Sequence, residues 1–259
     1  MSKKILTIAV MILLLGVTLF TIGYIKEPQL EVGSLGLKLS EGSQKLEELK
    51  NLEIEVVDAD IYLTTGSDYS ITYRLNQKEA IENFKQVGDT LNFKTKIHGR
   101  LGFYHDDWQV VITIPADVKL ENVRLKTISG DIISNISNIN NLELHSVSGD
   151  IKLKETKTSD LKVKTTSGDI EFNNSHENVF LDSISGDIEF NGDIANALTI
   201  KTISSDIELD FNHAVDIETK GLADVEINGL IVKKAYDDPH ASALITIDAV
   251  SGDIEITTK

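Results

Sequence analysis

The 259-residue chain carries 25 Lys and Arg against 41 Asp and Glu, a net charge of −16, and it contains no cysteine. The missing thiols exclude disulfides, thiolate metal sites, cysteine nucleophiles and lipid attachment through an N-terminal cysteine. The charge is unevenly spread, with 19 acidic but only 5 basic residues from Thr165 onward, and a surface of that kind repels phosphate backbones. Nucleic acid is therefore not an expected partner.

In chain order, Lys3 and Lys4 come first and are followed by an uncharged run from Ile5 to Ile25. At ~1.5 Å per residue such a run spans roughly the 30 Å hydrocarbon core of a bilayer. The basic residues before it predict a cytoplasmic 1–4, a transmembrane signal anchor at 5–25 and an extracytoplasmic remainder. The exit side, Thr21 to Lys26, has no small-x-small cleavage pattern, which favours an uncleaved single-pass anchor in the cell membrane over a removed signal. Either outcome places the rest of the chain outside. Residues 26–51 read as a tether containing Pro28, Gly33, Gly36 and Gly42, with two helical turns expected within Gln44 to Asn51.

From Leu52 the hydrophobic pattern alternates with period two. Leu52, Ile54, Val56, Ile61 and Leu63 interleave with polar residues, as strands do. Further strands are expected at Ile71–Leu75, Leu91–Thr95 and Val110–Ile114, the last closed by Pro115, which cannot donate to a ladder. Gly99 to Trp108 is expected to be a loop. Residues 52–118 thus read as an N-terminal β cap with lead-in strands.

Repeats dominate 119–259. Seven copies align on one aspartate: Asp131, Asp150, Asp169, Asp187, Asp206, Asp224 and Asp253. Most read Ser-Gly-Asp-Ile, and Asp224 belongs to a degenerate copy. The steps between these aspartates are 19, 19, 18, 19, 18 and 29 residues, the long one carrying an insertion at Lys233 to Ser242. No three-four hydrophobic spacing accompanies the repeat, so helices are excluded. Each coil has an apolar residue six before the Asp and Ile or Val just after it, which two short strands joined at Ser-Gly-Asp would satisfy. One coil cannot bury its apolar face alone, whereas stacked coils pair their backbones at ~4.8 Å. The expected fold is all-β, a single-stranded β-helix-like solenoid of about seven coils of 18–19 residues behind an N-terminal transmembrane helix. Lys152, Glu171, Glu189, Glu208, Glu226 and Glu255, two after each aspartate, would form a largely acidic outer stripe. Ser205 and Ala223 replace the glycine before the aspartate, so that slot is expected to require small size more than a positive φ.

The stretch Asp58-Ala59-Asp60-Ile61, the Ile114-Pro115 strand end and the Ser-Gly-Asp-Ile copies resemble the putative-adhesin family of bacterial envelope proteins. With one anchor in front, the layout is similar to LiaG-type proteins, which are encoded with envelope-stress signalling systems. The resemblance implies a β-helix-like fold outside the membrane. It brings no catalytic residue and no ligand.

Stacked aspartates at ~4.8 Å could attract calcium, which takes oxygen ligands. The reading preferred here is that each Asp, with its Ser, caps backbone N–H groups at the corner. His98, His105, His145, His176, His213 and His240 are scattered. Only His105-Asp106-Asp107 and Asp237-Asp238-Pro239-His240 are locally metal-like, and both are expected in loops. No metal site and no cofactor are assigned. Serines and aspartates that recur uniformly are the mark of a structural repeat, not of a catalytic site, and no nucleophile motif stands out. Phe172 and Phe190 should form a core stack, and Trp108 should pack on the open end of the solenoid. The chain is read as a non-enzymatic binding or scaffold module of the cell envelope, meeting a wall polymer or another envelope component. The alternative is an accessory regulator touching a membrane-bound envelope-stress sensor.

Overall fold

The computed structural model describes residues 41–75, 79–97, 108–221, 223–231, 235–236, 238 and 240–258. The expected anchor at Ile5–Ile25 and most of the expected tether lie outside the described residues. No helix among the described residues is long and apolar enough to cross a membrane. A compact unit comprises Lys38–Lys259.

The chain forms β1 (Glu41–Lys45), β2 (Asn51–Glu55), β3 (Asp60–Gly66), β4 (Ser70–Arg74), β5 (Glu79–Val87), β6 (Thr90–Ile97) and β7 (Gln109–Pro115). Next come β8 (Leu120–Lys126), β9 (Ile132–Ser134), β10 (Asn138–His145), β11 (Ile151–Leu153), β12 (Lys157–Lys164), β13 (Ile170–Asp182) and β14 (Ile188–Ser204). The last are β15 (Ile207–Phe211), β16 (Asp216–Gly221), β17 (Asp224–Ile227), β18 (Leu230–Ile231), β19 (Ala235–Tyr236), β20 (Leu244–Ser251) and β21 (Asp253–Thr257). All 21 strands among the described residues belong to one hydrogen-bonded sheet. The stretch Gln44–Asn51, expected to make two helical turns, is extended instead. β1 pairs antiparallel with β4, Leu46 N–H donates to Tyr69 O and Lys50 N–H to Asp89 O, so the backbone is committed to distant residues and not to helical turns, while Leu46 and Leu49 are buried in the core.

Each coil contributes two strands that run parallel to those of its neighbours. The first strands line up as β6, β2, β8, β10, β12, the second half of β13, the second half of β14, β20 and β16. The second strands line up in the same order as β7, β3, β9, β11, the first half of β13, the first half of β14, β15, β21 and β17. The stack therefore has nine coils among the described residues, where the repeat alone predicted seven. The two extra coils come from the segment read as a cap, because their corners carry no Ser-Gly-Asp-Ile to announce them. At ~4.8 Å per coil the rod is roughly 40 Å long.

Spatial order departs from chain order at both ends. β2–β3 lies inside, flanked by the later coil β6–β7 on one side and β8–β9 on the other. At the opposite end the coil β20–β21 slips between β14–β15 and β16–β17. Antiparallel strands close the rod: β5 on β6 and β4 on β7 at one end, β19 on β16 and β18 on β17 at the other. They satisfy the outermost parallel strands, whose open edges would otherwise invite pairing with another chain.

The interior follows from the repeat. The isoleucine after each corner aspartate (Ile61, Ile132, Ile151, Ile170, Ile188, Ile207, Ile254) is buried, and each stacks on the next in register. Two residues on, Phe172 and Phe190 lie 4.6 Å apart between centroids, and Phe211, four after Ile207, adds a ring at 5.4 Å from Phe190. The expected aromatic core stack is thus present and one ring longer. Burying each such side chain contributes ~1.5–3 kcal/mol, so the ladders hold coil to coil.

Candidate functional site

The corner between the first and second strand of each coil carries the repeat's polar signature. Its hydrogen bonds explain why those residue types recur. Asp60 Oδ1 accepts the backbone N–H of Asp131 at 2.8 Å, Asp131 that of Asp150 at 2.8 Å, Asp150 that of Asp169 at 3.0 Å and Asp169 that of Asp187 at 2.9 Å. Asp206 does the same for Asp253 at 2.9 Å. In these five pairs the aspartate caps the backbone of its neighbour's aspartate, which is the capping role preferred over calcium. The serine two before it bonds elsewhere: the hydroxyls of Ser148, Ser185 and Ser251 donate to carbonyls of Ile128, Thr166 and Ile203 in the adjoining coil. A hydroxyl four before the aspartate holds the glycine, as Thr127 Oγ1 accepts from Gly130 N–H at 3.0 Å and Ser146 Oγ from Gly149 N–H at 2.9 Å.

The aspartate ladder expected from chain order needs two corrections. Its spatial order ends Asp206, Asp253, Asp224, because the last coil is inserted, and the acidic stripe likewise runs Glu208, Glu255, Glu226. It also begins one coil earlier, at Asp60, which stands 71 residues before Asp131 and so falls outside the regular step of the repeat. The glycine slot is tight, as expected. A Cβ on Gly149 would sit 1.9 Å from the carbonyl oxygen of Gly130. Size is not the whole reason, however, since Gly168, Gly186 and Gly252 also have φ of +136°, +109° and +118°.

Beside this corner runs a groove of about 480 Å³. Its rim is a feature the sequence reading missed. Three residues before the aspartate, Ile128, Val147, Ile184, Ile203 and Val250 are 46–52 % exposed, with Thr166 in the same place before Asp169 and Gly221 before Asp224. A recurrent aliphatic residue at a position whose parity points it outward was the available signal. The groove spans coils from Val57 to Ile184, and Thr95, Thr127, Ser146 and Thr165 also line it. Thr165 Oγ1 is buried without a partner among the described residues. Lys126, His145 and Lys164 line the groove as well, in register on adjacent first strands. Next to them Glu143 receives His145 Nε2 at 2.9 Å, Arg124 Nε at 3.2 Å and Lys162 Nζ at 3.7 Å. Partial burial alone would raise the Glu143 carboxyl, but the His145 hydrogen bond and the Arg124 and Lys162 charges outweigh it and hold it below the usual range. Near Val57 and Thr95, both of which donate to its Oε1, Glu79 is buried, and desolvation raises its carboxyl.

The histidines do not converge. His176 is buried with Nδ1 2.8 Å from the Thr158 hydroxyl and Nε2 donating to Asn173 O at 3.1 Å, and desolvation lowers its pKa to about 4. His213 lies at 3.0 Å from Asp193 Oδ1 and 3.1 Å from Ile194 O. His240 is exposed, its N–H donating to Asp238 Oδ1 at 2.8 Å. His98, the His105-Asp106-Asp107 cluster, Asp237 and Pro239 lie outside the described residues. Among the described residues no group of three or more His, Asp or Glu side chains is arranged to hold a metal ion. Trp108 is partly buried against the core in the coil that lies outermost at its end of the stack, and its carbonyl accepts Asp60 N–H at 3.0 Å.

A family model described as Toastrack DUF4097 matches residues 49–259. The chain belongs to the DUF4097 family. No curated protein matches it. Among solved structures, a putative adhesin from Bacteroides fragilis is 14 % identical, with a TM-score of 0.54 over 84 % of this chain and 95 % of that one. A putative cell adhesion protein from Clostridium sporogenes is 12 % identical, with a TM-score of 0.38 over 85 % and 99 %. A putative lipid binding protein from Parabacteroides distasonis is 13 % identical, with a TM-score of 0.38 over 85 % and 97 %. At such identities the Bacteroides fragilis structure speaks for the fold alone.

Proposed function

We propose that this DUF4097 protein is a non-enzymatic binding or scaffold module, held at the outer face of the cell membrane by Ile5–Ile25, that engages a cell-wall polymer along its corner groove. The observation that carries this reading is the file of half-exposed aliphatic side chains from Ile128 to Val250, repeated on successive coils of the stack. Exposed apolar rows of that length on a rigid surface mark binding. The polar side of the groove supports a polymer rather than a small molecule. Lys126, His145 and Lys164 sit on successive coils, with Glu55 and Asp182 at the two ends of the same row, so a chain-like ligand meets a polar group at each step. Catalysis has no support in this arrangement, since the corner hydroxyls and carboxylates are committed to backbone groups coil after coil.

The test is co-sedimentation of the folded unit, Lys38 to Lys259, with purified wall material in the presence and absence of calcium. Pelleting that is lost in an Ile128→Thr, Val147→Thr, Ile184→Thr variant supports the groove, and Thr166 already shows that the corner accepts threonine. Pelleting only with calcium would move the site to the aspartate ladder. Protein left in the supernatant throughout would overturn wall binding and favour contact with a membrane-bound sensor.

A further inference from the structure

We infer that the coil Leu244–Thr257 is an exchangeable element, and that the slot it fills accepts the same coil from a second copy of this chain. Three observations meet here. The coil is inserted out of order, hydrogen-bonded on one side to β14 and β15 and on the other to β16 and β17. It is reached through residues 228–243, whereas three residues join β9 to β10 and three join β11 to β12. Its corner contacts are those of the repeat. Asp253 N–H reaches Asp206 Oδ1 at 2.9 Å, the Ser251 hydroxyl reaches Ile203 O at 3.1 Å, and Gly252 fits against the carbonyl of Ser205.

An empty slot need not stay open. β16 and β14 run in the same direction, and Ile217 and Leu198 both face Ile245, as Val225 and Ile207 both face Ile254. The coil β16–β17 can therefore close by one coil height onto β14–β15 with apolar partners already in register. Withdrawal of the last coil then costs one interface and not the whole end of the rod. The coils between β8 and β15 lack this freedom, because they follow one another directly and are held in place by chain on both sides. A withdrawn coil needs a regular corner with a free aspartate on which to stack, and the slot of another copy offers the same Asp206.

Because the chain has no cysteine, single thiols report exchange directly. Glu208 and Glu255 are exposed Cα partners on neighbouring second strands, a spacing of ~4.8 Å that suits a disulfide. Full-length Glu208→Cys and Glu255→Cys, mixed at high concentration in detergent and oxidised, should form a disulfide heterodimer. The control is Glu189→Cys mixed with Glu255→Cys. Glu189 faces Glu208, one coil further away, and a separation of ~10 Å is too long for the bond. The expected yield is at least several-fold above that control. The double variant Glu208→Cys, Glu255→Cys reports the unexchanged chain by bonding within itself. A mixture that gives no more heterodimer than the control, while the double variant bonds internally, overturns exchange. Failure of the double variant to bond internally would overturn the slot itself.

Discussion

At the scale of single residues, the polar groups that matter are buried ones whose partners fix one protonation state. His176 accepts from Thr158 and donates to Asn173, which only the neutral ring can do, and burial lowers its pKa from 6.5 to about 4. The sign follows from proton counting. Above pH 6.5 the ring is neutral folded or unfolded, so it contributes no pH dependence. Between 6.5 and 4 the unfolded chain takes up a proton that the folded one refuses, and stability falls as pH falls. Urea denaturation at pH 7 and pH 4.5 should therefore show a larger loss in the wild type than in His176→Gln. An equal loss in both would mean that the ring is not buried neutral. Glu79 works in the opposite sense, because its raised carboxyl costs stability as pH rises past 4.5. Neither residue was legible beforehand, since an isolated His or Glu in a strand carries no mark of burial. The corner aspartates were legible, because a repeated Ser-Gly-Asp has few explanations besides capping. Asp60 was left out of the ladder because it stands 71 residues before Asp131, off the step of 18 or 19 residues that defines the repeat.

At the scale of the element, the unit is the coil, and its tightest point is the corner glycine. Gly149 has no positive φ, so its requirement is space against the Gly130 carbonyl, whereas Gly88 has φ +58° and open surroundings. Replacing Gly149 by Ala should cost about 1–3 kcal/mol through overpacking against a backbone that cannot yield. Gly88→Ala should cost about 1 kcal/mol through conformation alone. Chemical denaturation of the two variants separates these cases, and equal losses would show that neighbouring coils do not press together at the corner. Period and parity in the sequence reached the strands, the aromatic row and the tight slot. They did not reach the two coils of 51–66 and 90–115, whose corners lack the signature. The extended path of Gln44–Asn51 also escaped them, because it is set by burial of Leu46 and Leu49 against a distant part of the chain.

At the scale of the whole molecule, the stacking puts like charges side by side. Glu171, Glu189, Glu208, Glu255 and Glu226 are consecutive partners across five coils, all on the half of the chain that carries most of the −16. Exposed charges ~4.8 Å apart repel, and salt screens them. The melting temperature should rise by about 3 °C or more from low salt to ~0.5 M sodium chloride, in keeping with ~1 kcal/mol of relieved repulsion in a protein of this size. A flat response in a salt series would mean that neighbouring cations already neutralise the row. The order of coils at the ends could not be read from the sequence at all, since one parallel strand accepts another whatever its distance along the chain.

That order has a consequence for how such a rod can change length. In an ordinary stack the newest repeat is added at an end, where a single seam holds it. Here each end is clasped, the first coil behind the second and the last behind the one before it, so a coil appended outside would meet an antiparallel strand instead of a ladder. Between β8 and β15 the coils succeed one another at steps of 18 or 19 residues with nothing crossing between them. Duplicating a segment there, Leu142 to Asp160 for instance, inserts a whole storey without disturbing either clasp. The middle of the rod is thus a ruler that can be extended in steps of about 4.8 Å, and the ends are fittings that stay the same.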